Sequence, residues 1–253
     1  WGLEGLFYII GTAYALTVVT LMMMRTDGHK VAATSKTAIG GLLQGFAYLR
    51  HQKSISSVII LGITFGLFGT SFDTLLPVFT EEVFTGGSDI YGQLLLGAGI
   101  GGLTATTVIT LIGKRVRPAL YLTVAGLGVG ATQLTFARID VLSLAMLVAG
   151  IIGGFKVVLG VMNTTVIQTL VDEEFRGRVM SISQLTWGAS ALGGLLMGYL
   201  AQRFDAPVAM TLGGSVAIVS TALVGQRLLR SFGYGTKPAN QAQKPDAPVE
   251  ASA

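Results

Sequence analysis

Apolar residues gather into seven runs divided by polar breaks: approximately Gly5–Met24, Ser57–Phe79, Tyr91–Gly113, Ala119–Phe136, Val141–Met162, Met180–Ala201 and Val208–Gln226. Each is near the ~20 residues that carry a helix across a ~30 Å hydrocarbon core. None alternates apolar and polar positions as a barrel strand does, and an isolated strand leaves its backbone unpaired in lipid. The pattern predicts seven membrane-spanning helices. In the polar stretch Arg25–Ile55, residues Ile39, Leu42, Leu43, Phe46 and Leu49 recur every three or four positions. That spacing predicts a short amphipathic helix lying on the membrane surface. The segment Lys237–Ala253, rich in Pro, Ala, Gln and charge, reads as a disordered tail.

Composition agrees with lipid as the solvent. Charged residues make up 12% of the chain, about half the ~25% of an ordinary soluble domain. A soluble bundle needs a polar outer face on every helix, and 17 basic plus 13 acidic residues cannot supply one. A soluble enzyme, a secreted module and a disordered protein are thereby excluded. With no cysteine there is no disulfide framework, thiolate nucleophile or Cys-based metal site. His29 and His51 share one polar segment and are too few for a metal cluster. No metal and no cofactor are expected. The first residue is Trp1, already inside an apolar run and without signal-peptide features, so the expectation is that further sequence precedes it.

Charge placement predicts sidedness. Alternate connections share a side, and one set holds 14 basic residues against Arg138 and Arg203 on the other. The positive-inside rule puts the 14, with the C-terminus, in the cytoplasm. The basic balance is then a topology signal, and no nucleic-acid partner is expected. Seven spans make the lipid bilayer the first partner.

Two charges lie well inside spans, Asp73 and Lys156. Such charges are costly and usually face a cavity or a partner. Asp73 shares a helical face with Gly62, Gly66 and Gly69, and Lys156 with Gly153, Gly160 and Asn163. Counting from the span ends at 1.5 Å per residue puts Asp73 roughly 25 Å from the inner start and Lys156 roughly 22 Å from the outer. In a ~30 Å core that separates them by about 15–20 Å in depth, and no direct ion pair is expected. Alternatively, Lys156 snorkels to the inner surface and Asp73 sits at the outer headgroup level. No span carries a His/Asp pair, a metal-ligand spacing or a Ser beside a base, so an intramembrane enzyme has no support.

Gly97–Gly102 fits a dinucleotide-binding GxGxxG, yet it sits inside an apolar span with no acid before Asp140. Gly97 with Gly101, and Gly194 with Gly198, stand one turn apart and are expected to let helices approach closely. Asn163-Thr164-Thr165 is a formal glycosylation sequon at the cytoplasmic end of a span, where no glycan is added. Asp172, Glu173 and Glu174 precede Arg176-Gly177-Arg178 at the entry to a span. Acids there suit a helix N-terminus, and the arginines can pair with them or with lipid phosphate. A plain charged turn that only fixes topology is the other reading.

One run, a long basic connection, then six runs with short connections resembles the major facilitator superfamily, whose two six-helix halves are joined by a long cytoplasmic segment. Gly45-Phe46-Ala47-Tyr48-Leu49-Arg50, Leu75-Leu76-Pro77-Val78-Phe79, Asn163-Thr164 with Gln168, and Arg176-Gly177-Arg178-Val179-Met180-Ser181 are similar to its enterobactin-exporter and multidrug-efflux branch. The chain departs from that branch at Gln52-Lys53 and Asp172, where Asn-Pro and Pro are frequent. Gly113-Lys114-Arg115-Val116-Arg117 resembles a degenerate Gly/basic cytoplasmic motif that lacks its Asp.

The resemblance implies an all-α membrane protein, the last helix of an N-terminal half followed by a six-helix bundle. Residues 1–24 would be the sixth helix, 25–55 a cytoplasmic linker, 56–229 the bundle and 230–253 the tail. It further implies alternating-access export of small amphipathic molecules, siderophores or drugs, coupled to protons across the inner membrane. The missing N-terminal half and the small-molecule substrate would then be partners. Asp73 and Lys156 become substrate or proton candidates; Asp172, Glu173, Glu174, Arg176, Arg178, Lys114 and Arg115 become conformational-latch candidates. A non-transporting scaffold or an orphan half-transporter is the alternative.

Overall fold

The structure, a computed structural model, describes residues 3–23, 38–112 and 118–233. Helix α1 (Leu3–Met23) forms a unit of its own, apolar from Phe7 to Met23. Thr12, Thr17 and Thr20 each donate to the carbonyl four residues back, which satisfies their hydroxyls without water.

The second unit begins with α2 (Ala38–His51), followed by α3 (Lys53–Thr64), a π-helical turn (Phe65–Gly69) and α4 (Ser71–Glu82). These last three make one 30-residue apolar stretch, Lys53–Glu82. Then come α5 (Ser88–Ile112), α6 (Pro118–Phe136), α7 (Leu142–Leu170), α8 (Glu173–Phe204) and α9 (Ala206–Gly233). The described residues contain helices and no strands, as an all-α membrane protein requires. Lys114 and Arg115, most of the basic connection after Met24, and the tail beyond Gly233 lie outside the described residues.

Among the described residues, five stretches are long and apolar enough to span a bilayer: Lys53–Glu82, α5, α6, α7 and the first part of α9. Helix α8, 32 residues long, falls outside that set although a span is expected there. The reason is its polar face, where Ser183, Gln184, Thr186 and Ser190 lower the average hydropathy while its other sides stay apolar. Two predicted spans also lengthen: Ser57–Phe79 becomes Lys53–Glu82, and Val141–Met162 becomes Leu142–Leu170, extended at its C-terminal end.

Two apolar cores occupy opposite ends of the bundle. One gathers Ile55, Val58, Leu159, Val166, Val179 and Leu228. The other gathers Phe72, Phe79, Phe136, Ile152, Met197 and Met210. Phe136 anchors the second, with the Phe72 and Phe79 rings edge-on at 5.1 and 5.3 Å. Helix α2 packs through Gly45 and the buried Leu49, and leaves Leu43 and Phe46 exposed. Among the described side chains of the expected stripe, Leu49 faces the bundle and Leu43 and Phe46 do not.

Helices α5 and α7 touch backbone to backbone. A Cβ at Gly97 would lie 2.7 Å from the Met146 carbonyl oxygen, one at Gly101 would strike the Gly150 carbonyl, and one at Gly153 the Ala98 carbonyl. In α8 the close approach falls on Gly193, against the Leu67 carbonyl of the π-turn. Gly194 meets only the Thr74 side chain, and Gly198 has nothing within 4 Å. Of the expected Gly194/Gly198 pair, Gly194 thus approaches α4 closely and Gly198 does not, while the tightest contact falls one residue earlier, about 100° round the helix.

These contacts set a stability prediction. Gly101→Ala should destabilise the bundle by about 1–3 kcal/mol through overpacking. Gly99→Ala, with open space at its Cβ, should be neutral or slightly stabilising. Denaturant titration of the purified protein in mild detergent measures both.

Candidate functional site

The site is built around an irregular helix. The π-turn ends at Thr70, and the amides of both Asp73 and Thr74 donate to the Thr70 carbonyl. The Gly69 carbonyl, which Asp73 would serve in a regular α-helix, instead accepts from Gln133 Nε2 at 2.7 Å. Pro77, four residues beyond Asp73, has no N–H for the Asp73 carbonyl. Backbone irregularity thus flanks Asp73 on both sides. π-Turns recur at functional sites because they re-aim side chains.

Lys156 projects from the middle of α7, and its Nζ donates to Asp73 Oδ2. This overturns the expectation that the two are too far apart in depth. Asp73 lies 9 residues from the Glu82 end of a 30-residue stretch, and Lys156 lies 14 residues from the Leu142 start of a 29-residue helix. At 1.5 Å per residue the offset is about 7 Å, within reach of a lysine stem. Spans drawn too short inflated the separation.

The pair lines a cavity of about 450 Å³ walled by α3, the π-turn, α4, α7 and α8, with Leu122 of α6. That volume suits a small organic molecule. Gly62, Gly66 and Gly160 line it, with open space at Gly160, whereas Gly69 faces the Phe65 ring and does not line it. Gly66 instead packs on the Thr186 carbonyl, at 2.5 Å from an added Cβ. Asp73, Lys156 and Asn163 are the sequence-predicted residues that converge here.

Several cavity residues escape a search for charges. Thr186, Trp187 and Ser190 recur at helical spacing on α8, and Trp187 is 75% exposed. Gln133, outside the cavity lining, is fully buried and holds the Gly69 carbonyl. The available signal was amides and hydroxyls inside otherwise apolar runs.

A second cluster joins α2 to the α7–α8 corner. Tyr48 Oη donates to Asp172 Oδ2 at 3.0 Å, and its ring stacks on Phe175 at 4.5 Å. The Arg178 guanidinium covers the same Phe175 ring, at 5.2 Å. Arg176 reaches Glu173 at 3.7 Å within α8, an exposed pair worth little in stability. Glu173 opens the helix and Asp172 immediately precedes it, where negative charge is favourable. Burial raises the Tyr48 phenol above its ordinary value; the Asp172 backbone hydrogen bond opposes this and its carboxylate reinforces it. The protonated donor therefore stays in place at neutral pH, and its contribution falls away only as pH rises beyond about 10.

A helical bundle of apolar spans, with an ion pair lining a cavity between them, defines an all-α multi-pass membrane protein. The chain belongs to the transmembrane secretion effector family of major facilitator transporters, whose model matches residues 3–251. It is 30% identical to the staphyloferrin A transporter of Staphylococcus aureus over 61% of the chain and 37% of that protein. It is 25% identical to the uncharacterized MFS-type transporter YvqJ of Bacillus subtilis, over 84% of the chain and 50% of that protein. It is 24% identical to the multidrug efflux pump Tap of Mycobacterium tuberculosis, over 87% of the chain and 53% of that protein. The matched part thus spans about half or less of these relatives. No solved structure gives a significant match.

Tyr48→Phe keeps the ring stack and deletes the bond to Asp172. It should cost about 1 kcal/mol of local stability, so α2 amides exchange roughly fivefold faster. Hydrogen exchange by mass spectrometry in nanodiscs reads this directly.

Proposed function

We propose that the chain is the C-terminal part of an exporter whose cavity is completed by a second six-helix half. On this reading residues 1–24 are the sixth helix of the whole transporter, 25–55 its cytoplasmic linker, 56–229 the second bundle and 230–253 a cytoplasmic tail. The observation that carries it is the Asp73–Lys156 pair set in a cavity between spans. Charges are kept inside a membrane where something must be bound or moved. The two halves rock about this midplane site, exposing it to each side in turn. Relatives named for a siderophore and for multidrug efflux support small amphipathic molecules as cargo. Among the described residues Asp73 is the one acid lining the cavity, which makes it the local group for proton coupling. The Tyr48–Asp172–Phe175–Arg178 cluster, with Lys114 and Arg115, serves as a cytoplasmic latch that differs between states.

The flux test uses membrane vesicles. The chain alone should give no energy-dependent efflux above empty membranes, whereas the full-length transporter should. Asp73→Asn in the latter should cut flux at least about tenfold at unchanged membrane abundance, the effect of losing roughly 1.4 kcal/mol at the coupling step. Flux by the chain as a monomer overturns the half-transporter reading. Sidedness follows from the distribution of basic residues. Because the chain has no native cysteine, a cysteine at Arg178 should be shielded from an impermeant thiol reagent applied outside, while one at Ser88 should react.

A further inference from the structure

Lys156 stands where a ligand's positive charge would sit. Its ammonium occupies one oxygen of Asp73, and the two side chains are unequally accessible: Asp73 is 48% exposed and Lys156 24%. The Asp73 side chain is therefore the more accessible of the two. Asp73 is held on a short side chain between the π-turn and Pro77. Lys156 sits on a four-carbon stem that can withdraw without moving the backbone.

The remaining polar lining has a sign as well. Thr70, Ser183, Thr186 and Ser190 each donate their single hydroxyl hydrogen to a carbonyl of their own helix, at 2.6–2.8 Å. What they turn to the cavity is lone pairs only. Asn163 Oδ1 is a buried acceptor without a donor, and the exposed Trp187 indole offers a π face. Neutral donors remain in the Asn163 and Gln184 amides, Thr164 and the indole N–H. None of them carries a charge to hold an anion, and the one cation among the lining residues is already neutralised by Asp73.

We propose that the cavity takes an amphipathic organic cation at Asp73, and that Lys156 is a tethered competitor which this ligand must displace. The ligand brings an ammonium or other delocalised cation to the Asp73 carboxylate and lays its apolar part along Phe65 and Trp187. Lys156 then acts as a specificity residue by exclusion: it occupies the carboxylate when the cavity is empty and rejects cations too weak to dislodge it. When the ligand leaves, the ammonium returns, and Asp73 is never left as an unpaired charge in the membrane. This deepens the transporter reading and rests on it for biological meaning, but its test requires only binding.

The probes are tetraphenylphosphonium and tetraphenylborate, nearly identical in shape and opposite in charge. Binding is measured to the purified chain in nanodiscs, with empty nanodiscs subtracted for lipid partitioning. Lys156→Met, which keeps the apolar stem, should bind tetraphenylphosphonium at least tenfold tighter than the unsubstituted chain. Asp73→Asn should bind it at least tenfold more weakly. The double variant Asp73→Asn/Lys156→Met, which has no unpaired charge to unfold it, should lose the preference for the cation. Unchanged or weaker phosphonium binding in Lys156→Met overturns the proposal, as does binding of neither probe by any variant. Loss of borate binding in Lys156→Met would instead make Lys156 an anion ligand. Absent flux in the full-length protein alongside these binding results would count against the transporter reading alone.

Discussion

A carboxylate and an ammonium held together inside a membrane are the constraint around which the bundle is arranged. Either charge costs more within a span when alone than when paired. Together they persist if two helices present them at the same depth and the same azimuth. The π-turn at Phe65–Gly69 contributes the azimuth for Asp73, and the midpoint position on α7 contributes the depth for Lys156. The two apolar cores above and below keep the pair from being the bundle's only cohesion.

Close backbone contact fixes that geometry where side-chain packing cannot. Lipid tails are as apolar as leucine, so helices in a membrane gain little from burying one another's aliphatic surface. They gain from dispersion at short range, and the glycines of α5 and α7 permit it. Gly193 and Gly66 do the same between α8 and the π-turn. Through these contacts α7 and the Asp73 helix are each braced by a different neighbour, α5 in one case and α8 in the other.

Much of the fold was legible because a bilayer leaves few choices. Run length and the absence of charge defined the helices, and the family resemblance followed from their number and from Arg176–Ser181 and Leu75–Phe79. The site was legible as two residues and illegible as a pair. Period counting assumes 3.6 residues per turn, and the π-turn breaks that count between Gly66 and Asp73, so Gly69 was assigned a face it does not share. Span ends were drawn where hydropathy fell, yet α7 runs on to Leu170 through polar Asn163, Thr164 and Gln168. Gln133 and the α8 hydroxyls were invisible for a simpler reason. Neutral polar residues within an apolar run do not stand out as a charge does, although in lipid each must find a partner.

The two irregularities beside Asp73 are not mechanically equivalent. On the Gly69 side the freed carbonyl is held by Gln133, a buried side chain from another helix. On the Pro77 side no hydrogen bond spans from residue 77 back to the Asp73 carbonyl, and Thr80 only turns its hydroxyl onto Pro77 itself. One joint is bolted and the other is a free knee. Strain applied to the Glu82 end would be absorbed at Pro77 before it reached the acid, so the Glu82 arm of this helix can swing while the charged seat beyond Pro77 stays still.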